Sequence, residues 1–277
     1  MSNVLIIGIT GFFGRNLTKA LLNKNYNVVG CAHSESRFIQ FKKKYPNIKI
    51  YLIELSSSDL FIVLDNIISK NKIDYIIHAG AMKHVDICQQ FPETAIKVNS
   101  DSIDKIIQVA DKNKVKNLIG ISTDKANNPC NVYGISKLLM MNKILENGYS
   151  IFQGVNFFWS DGSVLDIWFN AYIHKKPLVI RNVNHIRYFN NIESVCELII
   201  KNLDNKGSTI YPEYAYQIKL EDLLNAFSEY FNYYNHKFVD EYSFEKIVDE
   251  ISDTINIIKF SKDDVKKLIG TFYNNSE

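Results

Sequence analysis

Near its start the chain reads Val4-Leu5-Ile6-Ile7-Gly8-Ile9-Thr10-Gly11-Phe12-Phe13-Gly14, and this stretch decides the fold class. A continuous apolar run over residues 4–9 gives way to glycines at i, i+3 and i+6. Apolar residues at helical spacing follow over 13–23. A run that is apolar on both faces suits a strand of a parallel sheet, covered on both sides. Gly8, Gly11 and Gly14 allow a tight turn, close backbone approach to a pyrophosphate, and close contact between helix and strand. The N-terminus of the following helix adds N–H donors and partial positive charge. A loop that merely needs flexible residues is the plain alternative. Placement between a first strand and a first helix favours a dinucleotide-binding loop, with Thr10, Phe12 and Phe13 in its contact set.

Outward from this loop the pattern repeats. Residues 27–31, 48–53, 75–79 and 117–122 read as further buried strands, and 35–44, 59–69 and 95–112 as amphipathic helices between them. Strand–helix alternation of this kind predicts an α/β fold, a doubly wound parallel (Rossmann) sheet with helices on both faces. Residues 1–150 form the expected dinucleotide-binding domain. Over 151–277 the pattern loosens: strands are expected at 151–157 and 178–180, and helices at 192–203, 220–231 and 262–269. This part is expected to be a smaller substrate-binding region, partly interleaved with the first.

The 32 basic and 30 acidic residues give a net charge of +2, with no basic cluster of the kind that binds nucleic acid. The four cysteines, Cys31, Cys88, Cys130 and Cys196, are far apart, which argues against a disulfide framework and a metal site. Apolar runs are too short for a membrane span. These features predict a soluble, cytoplasmic protein without nucleic-acid or membrane partners.

In such sheets ligands bind beyond the carboxyl ends of the strands. After the second strand stands Gly30-Cys31-Ala32-His33-Ser34, with Arg37 close behind. No carboxylate ends this strand to hold a ribose 2′-hydroxyl, and His33 and Arg37 can meet a 2′-phosphate. NADP is therefore favoured over NAD, although Glu35 is near and Arg37 also reads as a solvated helix residue. After the fourth strand, Ala79 and Ala81 belong to the expected cofactor contacts.

Five Tyr-x-x-x-Lys pairs occur: Tyr45/Lys49, Tyr133/Lys137, Tyr172/Lys176, Tyr233/Lys237 and Tyr242/Lys246. On a helix this spacing puts both side chains on one face, where the ammonium lowers the phenol's pKa. Position selects Tyr133/Lys137, which opens the helix after the fifth strand, just beyond Ser122-Thr123-Asp124-Lys125.

The run Ser122-Thr123-Asp124-Lys125-Ala126-Asn127-Asn128-Pro129, with Asn131-Val132-Tyr133-Gly134 and Ser136-Lys137-Leu138, resembles the extended short-chain dehydrogenase/reductases. Within them it is similar to the C5-inverting UDP-N-acetylglucosamine 4,6-dehydratases. His78-Ala79-Gly80-Ala81-Met82-Lys83-His84-Val85, Ile96-Lys97-Val98-Asn99, Ser160-Asp161-Gly162-Ser163-Val164 and Arg187-Tyr188-Phe189 carry the resemblance across nearly the whole chain, and Glu245-Lys246 with Asp249-Glu250 resembles the group's C-terminal acidic motif. The chain departs from it at Gln153-Gly154-Val155-Asn156, where the group has Arg-Tyr-Gly-Asn, and at Asp161, where an Arg is expected.

The resemblance implies a UDP-sugar substrate and a set of roles. Tyr133, helped by Lys137, removes the proton of the 4-hydroxyl, both residues also being expected cofactor contacts, and Thr123 positions that oxygen. Lys125 is the base at C5, and Asp124 the acid for the departing 6-hydroxyl. Lys83, His84, Asn156, Ser163 and Arg187 are the expected substrate contacts, Arg187 as a clamp on the pyrophosphate. Lys83 and His84 also read as a polar loop, Arg187 as a surface ion pair and Asn99 as either a support of the site or a surface residue. A homo-oligomer is expected. The rival activities are a C5-retaining dehydratase, a 4-epimerase and a 4-reductase. The rival from another class is a non-catalytic dinucleotide-binding protein.

Overall fold

In the computed structural model, which describes residues 1–274, each apolar run of the first half is a strand. The order is β1 (Asn3–Ile7), α1 (Phe12–Asn23), β2 (Asn27–Ala32), α2 (Glu35–Lys44), β3 (Lys49–Leu52), α3 (Leu60–Asn71) and β4 (Tyr75–His78). Then come α4 (Val85–Gln90), α5 (Pro92–Ile96), α6 (Ser102–Lys112), β5 (Asn117–Thr123), α7 (Val132–Glu146) and β6 (Ser150–Gly154). The second half adds β7 (Asn156–Phe157), α8 (Val164–Ile173), β8 (Leu178–Ile180), β9 (Ile186–Asn190), α9 (Ile192–Lys201) and β10 (Thr209–Ile210). It closes with β11 (Tyr214–Lys219), α10 (Leu220–Phe231), β12 (His236–Phe238), β13 (Asn256–Lys259) and α11 (Lys262–Asn274).

Seven strands form one parallel sheet in the order β10-β6-β5-β4-β1-β2-β3. The doubly wound α/β fold read from the sequence is the one observed. Strand order reverses between β1 and β4, so the loops after these two strands flank the topological switch point, where such sheets bind ligands. The core on one face joins Leu5, Ile7, Ile76 and Leu118 of the strands to Leu64, Ile106 and Ile144 of the helices.

The chain divides into two compact units. The first holds Met1–Gly154 together with Ile192–Tyr211, and the second holds Val155–Asn191 and the chain from Pro212 onward. Part of the expected 151–277 region thus belongs to the first unit. Two features draw it there. The apolar face of α9 buries Ile192, Val195, Cys196 and Ile199 and packs beside α1, while β10 extends the sheet alongside β6. The buried amide of Asn117 fixes the return by donating to the carbonyls of Leu203 and Asn205 at 3.0 and 3.1 Å.

Two further expectations need correction. The stretch 151–157 is two strands of different sheets, β6 and β7, because the chain leaves the first unit at Val155. The helix expected over 95–112 carries a π-turn at Lys97–Asp101, between α5 and α6. In the second unit β13-β11-β9-β7 form one sheet and β12-β8 another. Its core is built around Trp168, Phe158, Phe227, Leu223 and Ile269. Among the described residues no helix is long and apolar enough to cross a membrane.

Candidate active site

The glycine loop has the shape its spacing predicts. Gly8 has φ +91°, a conformation side chains resist, and a Cβ there would stand 2.8 Å from the Gly80 nitrogen. A Cβ on Gly14 would stand 2.4 Å from the Gly8 carbonyl oxygen. The loop thereby lies directly against the Ala79–Gly80 backbone and the first turn of α1. Ala79 N donates to Ile7 O at 2.9 Å, and Arg15 Nη1 donates to Thr10 O at 2.8 Å. The N-cap of α1 is Gly11, without a side-chain cap, and the first turn carries no acidic residue. Such a terminus leaves N–H groups and dipole for an anion, so the cradle fits a dinucleotide pyrophosphate. Phe12 is half-buried in this turn, while Thr10 and Phe13 are buried.

At the end of β2, His33 and Arg37 are exposed, and Ser34 caps α2 by accepting from Arg37 N at 3.4 Å. One partner was missed in the sequence. Glu54, just beyond β3, places its carboxylate 2.9 Å from His33 Nδ1. Its carboxyl is held below the usual range, because hydrogen bonds from Ser56 and the His33 charge outweigh the opposing effect of burial. A carboxylate therefore does stand beside the end of β2, supplied by the neighbouring strand.

The chemistry-bearing residues converge where β5 ends. Thr123, Asp124 and Lys125 turn through a 3-10 segment into α7, whose N-cap Asn131 accepts from Gly134 N at 2.9 Å. A cap of this kind contributes about 1 kcal/mol. Gly134 has no side chain because its place is taken: a Cβ would lie 2.2 Å from the Lys125 carbonyl oxygen. The first turn of α7 thus sits on the backbone of Lys125. Asp124 is buried, and its Oδ1 accepts from Thr123 Oγ1 at 2.7 Å, Lys125 N at 3.0 Å and Lys125 Nζ at 3.3 Å. Gln153, the residue at the departure from the group pattern, is also buried. It donates to Thr123 O at 3.2 Å and Asn127 Oδ1 at 2.8 Å, steadying the turn from β6.

Of the five Tyr-x-x-x-Lys pairs, Tyr133/Lys137 alone has both members inside one helix. Burial pushes the Tyr133 phenol up to about 12. Lys125 and a hydrogen bond to Thr123 pull it down, against Asp124 and Cys88. In this structure the charge of Lys125 is one that lowers the phenol. The Lys137 amine is buried, donates to Met140 Sδ at 3.2 Å, and is pushed down by burial to about 7. A thioether is a weak acceptor and does little to hold the charge.

The π-turn gives Asn99 its place. Asn99 is fully buried; its Oδ1 accepts from Met82 N, and its Nδ2 donates to Met82 O and Ser136 Oγ, at 2.8, 2.9 and 2.9 Å. Ser136 Oγ in turn donates to Tyr133 O at 2.8 Å. Asn99 is a support that ties the loop after β4 to the helix bearing Tyr133. His78 was missed as a candidate, although it stands in the quoted run after β4. It is fully buried, and neither ring nitrogen has a hydrogen-bond partner among the described residues. Each such orphaned group costs about 1–3 kcal/mol.

The expected substrate contacts fall into both units. Lys83 and His84 are exposed just before α4. In the second unit, Asn156 Nδ2 donates to Tyr188 O at 3.0 Å, and Ser163 caps α8 by accepting from Asp166 N at 3.4 Å. Arg187 lies in an ion cluster. Its Nε is 3.4 Å from Asp249, its Nη2 is 3.8 Å from Glu245 and 3.1 Å from His185 Nδ1, and its Nη1 donates to Ile247 O at 3.1 Å. Much of its charge is therefore already balanced within its own unit. Among the described residues no cluster of His, Cys, Asp and Glu could hold a metal ion.

Comparison with known proteins bears on this arrangement. The sequence profile of the family described as polysaccharide biosynthesis protein matches residues 4–266. A UDP-N-acetylglucosamine 4,6-dehydratase (inverting) from Campylobacter jejuni is 30% identical over 242 residues, which cover 81% of this chain and 70% of that protein. UDP-glucose 4-epimerases are also similar, such as the Rickettsia bellii protein at 26% identity over 71% of this chain and 61% of its own. Among solved structures, Pen from Bacillus thuringiensis superposes with a TM-score of 0.85 at 22% identity, covering 98% of each chain. A dTDP-glucose 4,6-dehydratase from Streptomyces venezuelae, solved with NAD bound, gives 0.82 at 13% identity, covering 99% of this chain and 97% of that one. At these identities the two structures speak for the fold alone. The chain belongs to the polysaccharide biosynthesis protein family of the extended short-chain dehydrogenase/reductases.

Proposed function

We propose that this enzyme of the dehydratase/epimerase kind removes water across C5 and C6 of UDP-N-acetylglucosamine and inverts C5. The product would be UDP-2-acetamido-2,6-dideoxy-β-L-arabino-hex-4-ulose. The observation that carries this reading is the Thr123–Asp124–Lys125 turn, with an acid and a base 3.3 Å apart beside Tyr133. A 4-epimerase needs no such pair. The inverting dehydratase of Campylobacter jejuni, the relative at 30% identity, supports the same choice.

A nicotinamide dinucleotide held by the Gly8–Gly14 loop would accept the C4 hydride and return it to C6. The chain's own residues move the protons. Tyr133 takes the proton of the 4-hydroxyl, with Thr123 beside the same oxygen. The resulting ketone acidifies the C5 proton, which passes to a neutral Lys125 amine. Asp124 protonates the 6-hydroxyl as it leaves, and Lys125 then returns a proton to C5. An oxygen that accepts three donors is no acid, so Asp124 must first receive a proton. The hydrogen-bonded series Tyr133–Thr123–Asp124 provides one: the proton from the 4-hydroxyl is handed along it and departs in the water. Tyr133, Asp124 and Lys125 all end in their starting states. Incubation with UDP-N-acetylglucosamine should give a product lighter by one water. An isomer of unchanged mass would identify a 4-epimerase instead.

The bound cofactor is proposed to be NADP. Exposed His33 and Arg37 at the end of β2 support it. Denaturing the purified protein and identifying the released nucleotide checks this. NADP is expected, and NAD alone would overturn the assignment. A homo-oligomer and a cytoplasmic location complete the proposal, the first to be read from light scattering and the second from fractionation.

A further inference from the structure

The first N–H groups of a helix have no partner within it. In α7 two of them are taken by side chains. Asn131, the cap, accepts from Gly134 N, and Val132 N donates to Gln89 Oε1 at 3.2 Å, in the last turn of α4. Tyr133 stands between these two amides. Its own carbonyl accepts from Ser136 Oγ, which Asn99 holds from the π-turn. The backbone at Tyr133 is thus fixed on both sides from outside α7: at the preceding amide by Gln89, and at its carbonyl by Asn99 through Ser136.

Both tethers start at the loop after β4. Asn99 grips Met82 N and Met82 O. The same Met82 carbonyl accepts from Cys88 Sγ at 3.5 Å, and His84 O accepts from Cys88 N at 2.9 Å, so α4 is folded back on the residues that precede it. Lys83 and His84 lie within that fold, immediately before the helix. Gln89 follows Cys88, and at the far end of the same short helix it reaches α7. Most exposed glutamines meet only water, whereas the Gln89 carbonyl meets an N–H that the helix bearing Tyr133 cannot itself satisfy.

We propose that Gln89 is a positioning residue for Tyr133, through which α4 ties the Lys83–His84 loop to the first turn of α7. This rests on the proposed function, in which Tyr133 takes the proton of the sugar's 4-hydroxyl, and on the substrate contacts expected of Lys83 and His84. The loop sets where the sugar lies, and the α4 strut sets where the phenol meets it. Rate is sensitive to such placement, since a shift of about 1 Å can cost about 10²-fold. The oxygen of the amide is its working part. A carboxylate there accepts the same bond and also suits the positive end of α7. Alanine offers neither.

The test compares Gln89→Ala with Gln89→Glu. Valine labelled with nitrogen-15 reports the Val132 amide by NMR, the resonance being identified by its loss in Val132→Ala. In Gln89→Ala this amide should exchange with solvent faster. There kcat for C4 oxidation should fall about tenfold, between the roughly fivefold of one hydrogen bond and the roughly 10²-fold of an ångström's misplacement. The KM for nucleotide sugar and the thermal midpoint should stay near those of the unaltered protein, because the side chain is exposed. Gln89→Glu should restore both the slow exchange and the rate. Unchanged Val132 exchange in Gln89→Ala, or faster exchange with kcat intact, overturns the proposal. So does a fall in rate that Gln89→Glu shares, since the acceptor would then not matter. If the unaltered protein yields an isomer of UDP-N-acetylglucosamine instead of a dehydrated product, the dehydratase reading fails. A 4-epimerase also oxidises C4, so the same comparison still decides the role of Gln89.

Discussion

Tyr133→Phe is expected to lower kcat by about 10⁴-fold, the upper end of what general acid–base groups contribute, while nucleotide-sugar affinity changes little. The substitution removes one hydroxyl. The ring keeps its place, because α7 is positioned by the Asn131 cap and by Asn99 through Ser136, neither of which uses the phenol. The hydroxyl has two tasks in the proposed reaction. It takes the 4-hydroxyl proton, and it starts the Thr123–Asp124 series that supplies the acid at C6. Losing it should therefore stop oxidation at C4 before dehydration can begin. Transient kinetics following cofactor reduction should show no reduced species in the variant. Turnover comparable to the unaltered enzyme would remove Tyr133 from the mechanism.

Lys125→Ala is expected to block dehydration by a factor of roughly 10²–10⁴, the range for losing a general base. The variant should fold. The Lys125 backbone, which α7 packs against through Gly134, is retained, and the side chain is partly exposed. Oxidation at C4, which Tyr133 begins, should persist, because Lys125 acts as a neutral amine at C5. Measuring oxidation and dehydration separately in Lys125→Ala checks this.

The parallel sheet was legible because its signal is local and redundant. Buried strands are apolar on both faces, and Gly8, Gly11 and Gly14 mark the one turn that a side chain would obstruct. The choice among five Tyr-x-x-x-Lys pairs was equally legible, since it turned on position after β5. What escaped the sequence are consequences of tertiary placement. Helical spacing persists through a π-turn, so 95–112 reads as one helix and gives no sign that Asn99 turns inward. The stretch 151–157 keeps apolar residues on both sides of Gly154 and so gives no sign of the boundary between two sheets. Likewise α9 has an apolar face suited to either unit, and only its packing beside α1 shows where it belongs.

The site was legible in its membership and less so in its wiring. Thr123, Asp124, Lys125 and Tyr133 come together as their spacing around one strand end implies. The spacing i and i+4 fixes a shared helix face for Tyr133 and Lys137 but not where the amine goes, and Lys137 donates to Met140 Sδ within the core. Glu54 was invisible for a similar reason: a carboxylate at the end of β3 meets His33 through strand adjacency, not sequence distance. The departure at Gln153 shows what substitution within a pattern can preserve, since its amide holds the Thr123 carbonyl from the neighbouring strand.

The central claim is that Lys125 removes and returns the C5 proton with inversion. Incubation with UDP-N-acetylglucosamine in deuterated water, followed by NMR from the first minutes of reaction, tests it most directly. The planar 4-keto-5,6-ene can be reprotonated from either face, and a flexible amine can deliver its proton opposite to the side it left. The account predicts deuterium at C5 in the L-arabino configuration, with hydrogen from C4 returned to C6. A product that keeps the D-xylo configuration throughout the time course would contradict it.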